Sequence, residues 1–418
     1  MNKYSKSVLI CFLSTYLVTA FNYANAQEWT RFRGPNGTGI ANPDAEIPTK
    51  WSDENVKWKV SVPGKAHSSP VLWGDKLFLS TVKRNEQTQT LICFDAKDGK
   101  IIWEKPFEAS DYSIHRFNSH ASTSAALTKD KVFFTWGTPE NIRLVALDHS
   151  GNIEWQKDLG PFESQHGPAN SPMIHGNKVI FANDQLGVSY LVAFDTETGN
   201  QIWRVERGSG TKAAYSTPCL FKPAKGQPYL VFNSSTHGIT GVAPDTGAVL
   251  WEKNDGLFDK RSVSSPVFSK DMIFGSCGSG GGGNYVVAIS APDNTSKIMT
   301  PKLIYKFRRS APYVPTPLVV DEKIYFISDQ GIVSLMDLKT GKNIYSERTG
   351  MRYFGSPVLA SGHIFAISTS GVVTIIRASD KYEMVSKYDL GEESHSTPAV
   401  ANGKMYLRTS GHLYCIGK

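Results

Sequence analysis

The chain has 418 residues, a formal net charge of +7 at pH 7 and 11% aromatic residues. Its lysines and arginines are scattered and form no dense block, which excludes a basic arm or stripe for nucleic acid. Beyond the first residues no apolar run is long enough to cross a bilayer, which argues against a protein anchored by helical spans.

Residues 1–26 are predicted to form a secretory signal peptide. Lys3 and Lys6 give it a basic start, an apolar stretch follows, and Ala24-Asn25-Ala26 is a small-residue cleavage site. Removing this segment lowers the formal charge from +7 to +5. The mature protein is therefore expected to be periplasmic or secreted, with no transmembrane segment.

The segment after the signal peptide is predicted to be an irregular lead-in, residues 27–54, because it is rich in glycine, proline and asparagine. Residues 55–62 (NVKWKVSV) then alternate polar and apolar side chains around Trp58. That period of two predicts a β-strand.

Eight repeats follow, each opened by Ser-Pro or a close equivalent and spaced by 40 to 54 residues. A turn with glycine, aspartate or asparagine comes next in most repeats, then short apolar strands, and an outer strand that carries a tryptophan in the first four. The repeats begin at Ser69, Thr123, Ser171, Thr217, Ser265, Thr316, Ser356 and Thr397. The outer tryptophans are Trp103, Trp155, Trp203 and Trp251.

Units of this length with four short strands predict the blades of a propeller. The eighth unit ends after three strands, and residues 55–62 supply the missing outer strand. The prediction is therefore an all-β, eight-bladed β-propeller with four-stranded antiparallel blades. The N-terminal strand closes the ring, and residues 55–418 form a single domain.

The sequence resembles the PQQ-like propeller repeat, A-x-D-x-x-T-G-x-x-x-W. The pattern is carried by LVAFDTETGNQIW at residues 191–203 and LICFDAKDGKIIW at residues 91–103, and the resemblance runs from about Trp58 to the end. That group includes quinoprotein alcohol dehydrogenases and a periplasmic scaffold for outer-membrane protein assembly. The resemblance thus implies an architecture, and function must be argued from the site.

The residues argue against a quinoprotein dehydrogenase. The resemblance would imply two adjacent cysteines and a calcium site with a catalytic aspartate. The mature chain has Cys93, Cys219, Cys277 and Cys415, no two of them adjacent, and no acidic cluster at the blade starts. We expect no PQQ, no other cofactor and no metal, and we expect the four thiols to be buried and free.

The segments just before the blade starts should converge on one end of the central channel, together with the loops between second and third strands. Histidine, tyrosine and arginine are frequent in these segments, whereas acidic residues are scarce. The candidate catalytic residues are His67, His120, His166, Tyr215, Tyr313 and His395. The candidate substrate-binding residues are His115, Arg116, Lys212, His237, Arg261, Arg308, Arg309, Arg352 and Tyr353.

A cationic funnel lined by histidine and tyrosine suits a carboxylate-bearing sugar. Arginine pairs with the carboxylate, and histidine or tyrosine can move protons near neutral pH. The function predicted is β-elimination on an anionic oligosaccharide or polysaccharide by a monomeric protein. The protein would be a lyase if C4 carries a sugar and a dehydratase if C4 carries a hydroxyl. The alternatives are a non-catalytic periplasmic scaffold and, as the weaker one, a PQQ-dependent oxidoreductase.

Overall fold

The computed structural model describes residues 29–83, 86–109, 111–293, 295 and 299–418. The signal peptide predicted for residues 1–26 lies outside the described residues. Within these ranges, no helix has the length and apolar character needed to cross a membrane.

Over the described ranges, thirty-two strands form eight separate four-stranded antiparallel sheets. Seven sheets take their four strands in chain order from the channel outward, and in the eighth the last three strands of the chain are followed outward by the first strand. The helical content of the described residues is two 3-10 turns, Pro35–Gly37 and Asp53–Asn55. The predicted eight-bladed, all-β propeller is confirmed.

The strands are as follows, blade by blade. Blades 1 and 2 contain β2 (Val71–Trp73), β3 (Lys76–Lys83), β4 (Thr88–Asp95), β5 (Ile101–Glu108), β6 (Ala126–Leu127), β7 (Lys131–Thr138), β8 (Asn141–Asp148) and β9 (Ile153–Gly160). Blades 3 and 4 contain β10 (Met173–His175), β11 (Lys178–Asn183), β12 (Val188–Asp195), β13 (Gln201–Ser209), β14 (Cys219–Phe221), β15 (Tyr229–Ser234), β16 (Gly238–Val242) and β17 (Val249–Lys253). Blades 5 and 6 contain β18 (Val267–Phe268), β19 (Met272–Cys277), β20 (Tyr285–Ser290), β21 (Leu303–Phe307), β22 (Leu318–Val320), β23 (Lys323–Ile327), β24 (Ile332–Asp337) and β25 (Asn343–Arg348). Blades 7 and 8 contain β26 (Val358–Ala360), β27 (His363–Ile367), β28 (Val372–Arg377), β29 (Met384–Asp389), β30 (Ala399–Ala401), β31 (Lys404–Arg408), β32 (His412–Ile416) and the N-terminal β1 (Val56–Ser61).

The N-terminal strand closes the ring as predicted. Strand β1 pairs antiparallel with β32, with Trp58 opposite Cys415 and Val60 opposite Leu413. The last blade therefore combines strands from both ends of the chain. This pairing covers the outer edge of β32, which would otherwise be left open.

The Asp-x-x-x-Gly-x-x-x-Trp pattern provides a contact between neighbouring blades, in which the glycine of one blade packs against the tryptophan of the preceding blade. Asp195 accepts backbone N–H groups from Glu197 and Thr198, which fixes the turn ahead of Gly199. Gly199 has a φ of 66° and lies under the indole of Trp155 from the preceding blade. Glycine is required because an added Cβ would lie 2.7 Å from the ring. The same tryptophan-on-glycine contact joins Trp58 to Gly99, Trp103 to Gly151 and Trp203 to Gly247.

The Ser/Thr residues at the blade starts form a second set of contacts between blades, near the channel. At six of the eight junctions the backbone N–H of one blade's starting Ser or Thr donates to the hydroxyl of the next blade's starting Ser or Thr, over 2.9 to 3.1 Å. In blade 2 this residue is Ser124, one position after the predicted start at Thr123. These donor–acceptor pairs are Ser69–Ser124, Ser124–Ser171, Ser265–Thr316, Thr316–Ser356, Ser356–Thr397 and Thr397–Ser69. We call this set the hydroxyl ring.

The described part of the lead-in runs along the channel-side edges of the innermost strands. Trp29 bridges to Leu72 of blade 1, and Ile40 bridges to Leu359 of blade 7. Arg31 donates to the carbonyl of Pro218 over 2.7 Å, and Arg33 donates to the carbonyl of Thr316 over 2.7 Å. Both guanidinium groups are buried, and burial lowers the pKa of Arg33 to about 9. The lead-in thus fills the channel and satisfies strand edges that would otherwise stay unpaired.

The tryptophan-on-glycine contact predicts a graded effect of alanine substitution within one blade. Gly199→Ala should lower the free energy of unfolding by about 2–4 kcal/mol, because the left-handed backbone and the clash with Trp155 both oppose it. Gly176→Ala is the control: its φ is 57°, and no atom lies within 4 Å of an added Cβ. Its loss should be about 1 kcal/mol, from backbone strain alone. Urea unfolding measures both, and equal losses would contradict the role given to Trp155.

Candidate functional site

A cavity of about 930 Å³ opens at the end of the channel where the innermost strands begin. The segments before the blade starts and the loops between second and third strands surround it, as the sequence predicts for a propeller. Hydroxyl-ring residues line its lower wall, namely Ser69, Ser171, Thr316, Ser356 and Thr397, together with Thr217 at the start of blade 4. Phe32 of the lead-in also lines the cavity. Because the lead-in fills the channel below Phe32, the cavity is a cup.

Cationic side chains dominate the ionisable lining of the cup. Arg116, Arg261, Arg308 and Arg352 line it, and Asp329 is the one carboxylate among the described lining residues. Asp329 is nearly buried and accepts the backbone N–H groups of Tyr313 over 2.7 Å and Val314 over 3.1 Å. Burial raises the pKa of Asp329 despite these bonds. The cup therefore carries an excess of positive charge, which favours an anionic ligand.

Arg261 is the lining arginine whose placement is most closely defined. Its guanidinium donates to Gln165 over 2.9 Å and to the hydroxyl of Tyr313 over 3.3 Å. A guanidinium has five N–H donors, so further donors remain for a ligand. Gln165 and Tyr313 thus hold the planar guanidinium of Arg261, a group that can bind a carboxylate through two parallel hydrogen bonds.

Four histidines line the cup as two pairs. The ring centroids of His115 and His166 are 4.7 Å apart, and those of His67 and His395 are 4.3 Å apart. Burial, followed by the charges of Arg261 and His115, lowers the pKa of His166 to about 4. Burial, followed by His395 and Arg408, lowers the pKa of His67 to about 3. These two rings are therefore neutral at neutral pH and can accept a proton.

His166 lines the cup with one edge of its ring. Its Nε2 atom is buried and has no hydrogen-bond partner among the residues that the structure describes. A buried polar atom left without a partner carries a free-energy cost. Tyr215 lies beside it, with ring centroids 6.2 Å apart.

The two candidate tyrosines remain protonated. Burial raises the pKa of Tyr215 to about 12, and burial also raises the pKa of Tyr313. At neutral pH they can donate a proton or a hydrogen bond. The cup therefore combines neutral histidines, protonated tyrosines and fixed arginines, which is a set suited to acid–base chemistry on an anion.

Ten of the fifteen residues predicted from the sequence line the cup: His67, His115, Arg116, His166, Tyr215, Arg261, Arg308, Tyr313, Arg352 and His395. Their placement beside one another follows from the propeller geometry. Their catalytic or binding roles remain predictions.

The other five residues lie away from the cup lining, which corrects their expected location. His120 is buried and bonds the carbonyl of Tyr112 over 2.8 Å. Tyr353 is fully buried, and its hydroxyl bonds Thr374. Lys212 donates to the carbonyl of Asp259, His237 faces Glu252, and Arg309 is exposed beside Arg308. The backbone of these residues lies near the rim of the cup, but their side chains point away from the cup, toward local partners or solvent.

Several lining residues were absent from the sequence-based candidates: Phe32, Phe117, Gln165, Asp329 and Phe354. The three phenylalanines were overlooked because apolar residues near blade starts look like core. Asp329 lies in the tight β23–β24 connection, whose overhanging position could have identified it. Gln165 immediately precedes the predicted His166 and carries no charge signal.

The four mature cysteines are free and buried, as predicted. The described residues contain no group of three His, Cys, Asp or Glu side chains placed to hold a metal ion. Asp329 is the one lining carboxylate described and already accepts two amides. The side chains around the cup therefore do not fit a calcium-bound quinone.

The lowered pKa of His67 predicts that acid destabilises the protein. The pKa rises from about 3 in the folded state toward 6.5 on unfolding, so the unfolded chain binds the extra proton. The stability is present above pH 6.5 and is lost as the pH falls toward 3. We expect a loss of about 1–2 kcal/mol from His67 between pH 7 and pH 5. Urea unfolding at both pH values should show a smaller loss in His67→Asn, and an equal loss would contradict this origin.

Comparison with solved structures places the fold among known propellers. BamB from Moraxella catarrhalis is similar with a TM-score of 0.58 and 16% identity, over 86% of this chain and 98% of that chain. A europium-containing methanol dehydrogenase is similar with a TM-score of 0.64 and 12% identity, over 94% and 98% of the two chains. A quinohemoprotein alcohol dehydrogenase from Comamonas testosteroni has a TM-score of 0.63 and 14% identity, over 94% and 82%. At these identities the similarity shows a shared fold alone.

Two sequence comparisons add to this. A 1-butanol dehydrogenase (quinone) from Thauera butanivorans is 27% identical over 163 residues, which is 35% of this chain and 24% of that protein. Because the match spans only that part of the relative, its activity does not carry over. The profile of the family described as outer membrane protein assembly factor BamB matches residues 49–162 and 87–347. The chain therefore belongs to this family of PQQ-like β-propellers.

Proposed function

We propose that the cup binds a uronic-acid-containing oligosaccharide and catalyses β-elimination on it. The observation that carries the proposal is the charge of the lining: four arginines and four histidines surround about 930 Å³ of space, against one described carboxylate that is already bonded. The signal peptide predicted for residues 1–26 would bring the protein to the periplasm or beyond, where such sugars occur as polymers.

Arg261 is the proposed carboxylate-binding residue. Elimination requires removal of the proton on C5, which becomes acidic only when the negative charge that develops on the adjacent carboxylate is stabilised. A guanidinium already held by Gln165 and Tyr313 needs little rearrangement to provide that stabilisation. Arg308 and Arg352 supply further positive charge along the same wall.

His166 is the proposed base and Tyr215 the proposed acid. In this scheme the His166 imidazole takes the C5 proton, and the electron pair of that C–H bond forms a C4–C5 double bond. The bond from C4 to its oxygen breaks, and the hydroxyl of Tyr215 protonates the departing oxygen. The chemistry is the same whether C4 carries a sugar, giving a lyase, or a hydroxyl, giving a dehydratase.

Substrate binding would itself adjust the base. The charge of Arg261 contributes to the lowered pKa of His166. A bound carboxylate offsets this charge and moves the pKa of His166 back toward its ordinary value, where it is a stronger base. Substrate and catalyst are thus coupled through one arginine.

The elimination proposal predicts how substitutions at the cup affect activity. With oligomers of galacturonate, mannuronate or glucuronate as substrates, the wild-type chain should produce the ultraviolet absorbance of an unsaturated uronate. His166→Gln should lower kcat/KM by about 10²–10⁴-fold through loss of the base. Arg261→Gln should lower it by about 10²–10³-fold through loss of charge stabilisation.

His175→Gln is the matched control, because His175 lies in the same blade at the end of β10, away from the cup. It should retain wild-type kcat/KM. A flat absorbance trace over all three uronates, with correctly folded protein, would refute the elimination. A parallel assay with added PQQ and calcium should give no dye-linked alcohol oxidation, and a positive result would favour an oxidoreductase.

A periplasmic scaffold is the second candidate, and family membership favours it. The outer strands of six blades also expose apolar side chains, each with 38 to 49% of its surface accessible. These residues are Ile101, Ile102, Ile153, Ile202, Val249, Leu303, Ile304 and Ile344. Apolar side chains repeated on exposed strand edges are the kind of surface that a protein partner can cover.

The scaffold candidate makes a separate prediction. The wild-type chain should retain an outer-membrane β-barrel protein or its assembly machinery in a pull-down from cell envelopes. Ile102→Lys combined with Ile304→Lys should reduce this capture at least tenfold, whereas Arg261→Gln should leave it unchanged. No capture by the wild-type chain, or capture that the lysine substitutions do not affect, would count against a scaffold.

A further inference from the structure

Phe117 is an apolar side chain placed where packing alone does not explain it. It lies in the long connection between β5 and β6, and 38% of its surface is exposed at the cup. Its neighbours in sequence, His115 and Arg116, also line the cup. Exposure of a large apolar side chain inside a polar cavity suggests a surface kept free for a ligand.

Phe117 reaches across the cup to the far side of the ring. Its ring centroid is 5.2 Å from that of Phe354, which precedes blade 7, whereas Phe117 precedes blade 2. Phe354 in turn lies 5.0 Å from His395, which precedes blade 8. The two phenylalanines therefore form one apolar platform, made by loops from well-separated blades.

The platform adjoins the proposed catalytic group. One histidine ring lies between them: His115 is 5.5 Å from Phe117 and 4.7 Å from His166. A ligand seated on Arg261 and His166 can therefore extend along His115 to the platform. The cavity volume of about 930 Å³ exceeds the need of a single sugar and lies at the upper end for small-ligand sites.

The platform also carries its own cation. The guanidinium carbon of Arg116 lies 4.5 Å from the ring centroid of Phe117. Arg116 covers one face of Phe117, so a sugar would stack its non-polar C–H face on the ring surface that stays exposed, and the guanidinium can pair with a carboxylate on the same sugar. This combination repeats, for a second ring, the recognition that Arg261 provides for the first.

The opposite wall leaves room for an extended ligand. The β19–β20 connection contributes Gly280, Gly281 and Gly282 to the lining. An added Cβ would meet nothing within 4 Å at Gly280, so packing within the protein does not require glycine there. Gly282 has a φ of 91°, which favours glycine, and its amide donates to the carbonyl of Ser279. The absence of side chains at this wall keeps the cup wide.

We propose that Phe117, Phe354 and Arg116 form a second sugar subsite, so that the substrate is a chain of at least two adjacent uronic acids. This inference rests on the proposed function and specifies its substrate class as a polyuronate. Phe117 and Phe354 act by stacking, and Arg116 acts by pairing with the second carboxylate.

The test compares ligand length. Calorimetry on the full chain would use galacturonate, mannuronate and glucuronate, each as a monomer and as a tetramer. For at least one sugar, the wild-type affinity should rise tenfold or more from monomer to tetramer. Phe117→Ala and Phe117→Leu should reduce this ratio below about threefold, and Phe117→Tyr should retain it, because stacking requires a ring. Arg116→Gln should also reduce the ratio.

The outcomes separate this inference from the proposed function. Monomer binding that depends on Arg261 but shows no length effect, or a length effect that Phe117→Leu leaves intact, would overturn the second subsite while the anion site stands. Absence of binding for every monomer and tetramer would overturn both. Equal affinity for tetramers and for simple dicarboxylates would show charge recognition alone and would also reject the platform. Circular dichroism at the assay temperature checks that each substituted chain is folded, and Phe117→Leu, which keeps an apolar side chain of similar size, separates loss of stacking from loss of packing.

Discussion

The hydroxyl ring is the contact on which the geometry of the site depends. At six of the eight junctions the amide at one blade's start donates to the hydroxyl at the next blade's start, and these bonds hold the beginnings of the innermost strands at one level. The proline that usually follows has no N–H to compete for the acceptor. Every segment that precedes a blade must therefore open at the same end of the channel. The tryptophan-on-glycine contacts hold neighbouring blades together far from the channel axis. The hydroxyl ring holds them together near the channel, next to the cup.

The lead-in converts a channel into a cup. The strand edges on the channel side have carbonyl groups that need hydrogen-bond donors, and buried arginines need acceptors. Both needs are met because Arg31 and Arg33 donate to carbonyls of blades 4 and 6. Phe32, between them in sequence, then lines the cavity. A closed end limits exchange with bulk water, which strengthens the electrostatic interactions of the arginines with a bound anion.

Charge and burial work together in the cup. Burial, with smaller contributions from neighbouring histidine and arginine charges, lowers the pKa of His166 and of His67, and burial raises the pKa of Tyr215 and of Tyr313. Membership of the BamB family fixes the architecture but leaves this chemistry open, since the family's fold also serves enzymes. The outer strands and the cup are separate surfaces. Partner binding at the apolar outer strands and ligand binding in the cationic cup can therefore be tested independently in one molecule.

The sequence by itself determined the propeller, its eight blades and its closure by an N-terminal strand predicted at residues 55–62, because these follow from repeat spacing and side-chain alternation, which are local properties. It also placed His166, Arg261 and eight other candidates at the cup, since position before a blade start sets backbone location. Only the tertiary structure decided which side chains face inward: His120 and Tyr353 turn to local partners, whereas Phe117 crosses to Phe354. Side-chain direction, and contacts between loops of distant blades, depend on packing that a repeat pattern does not encode.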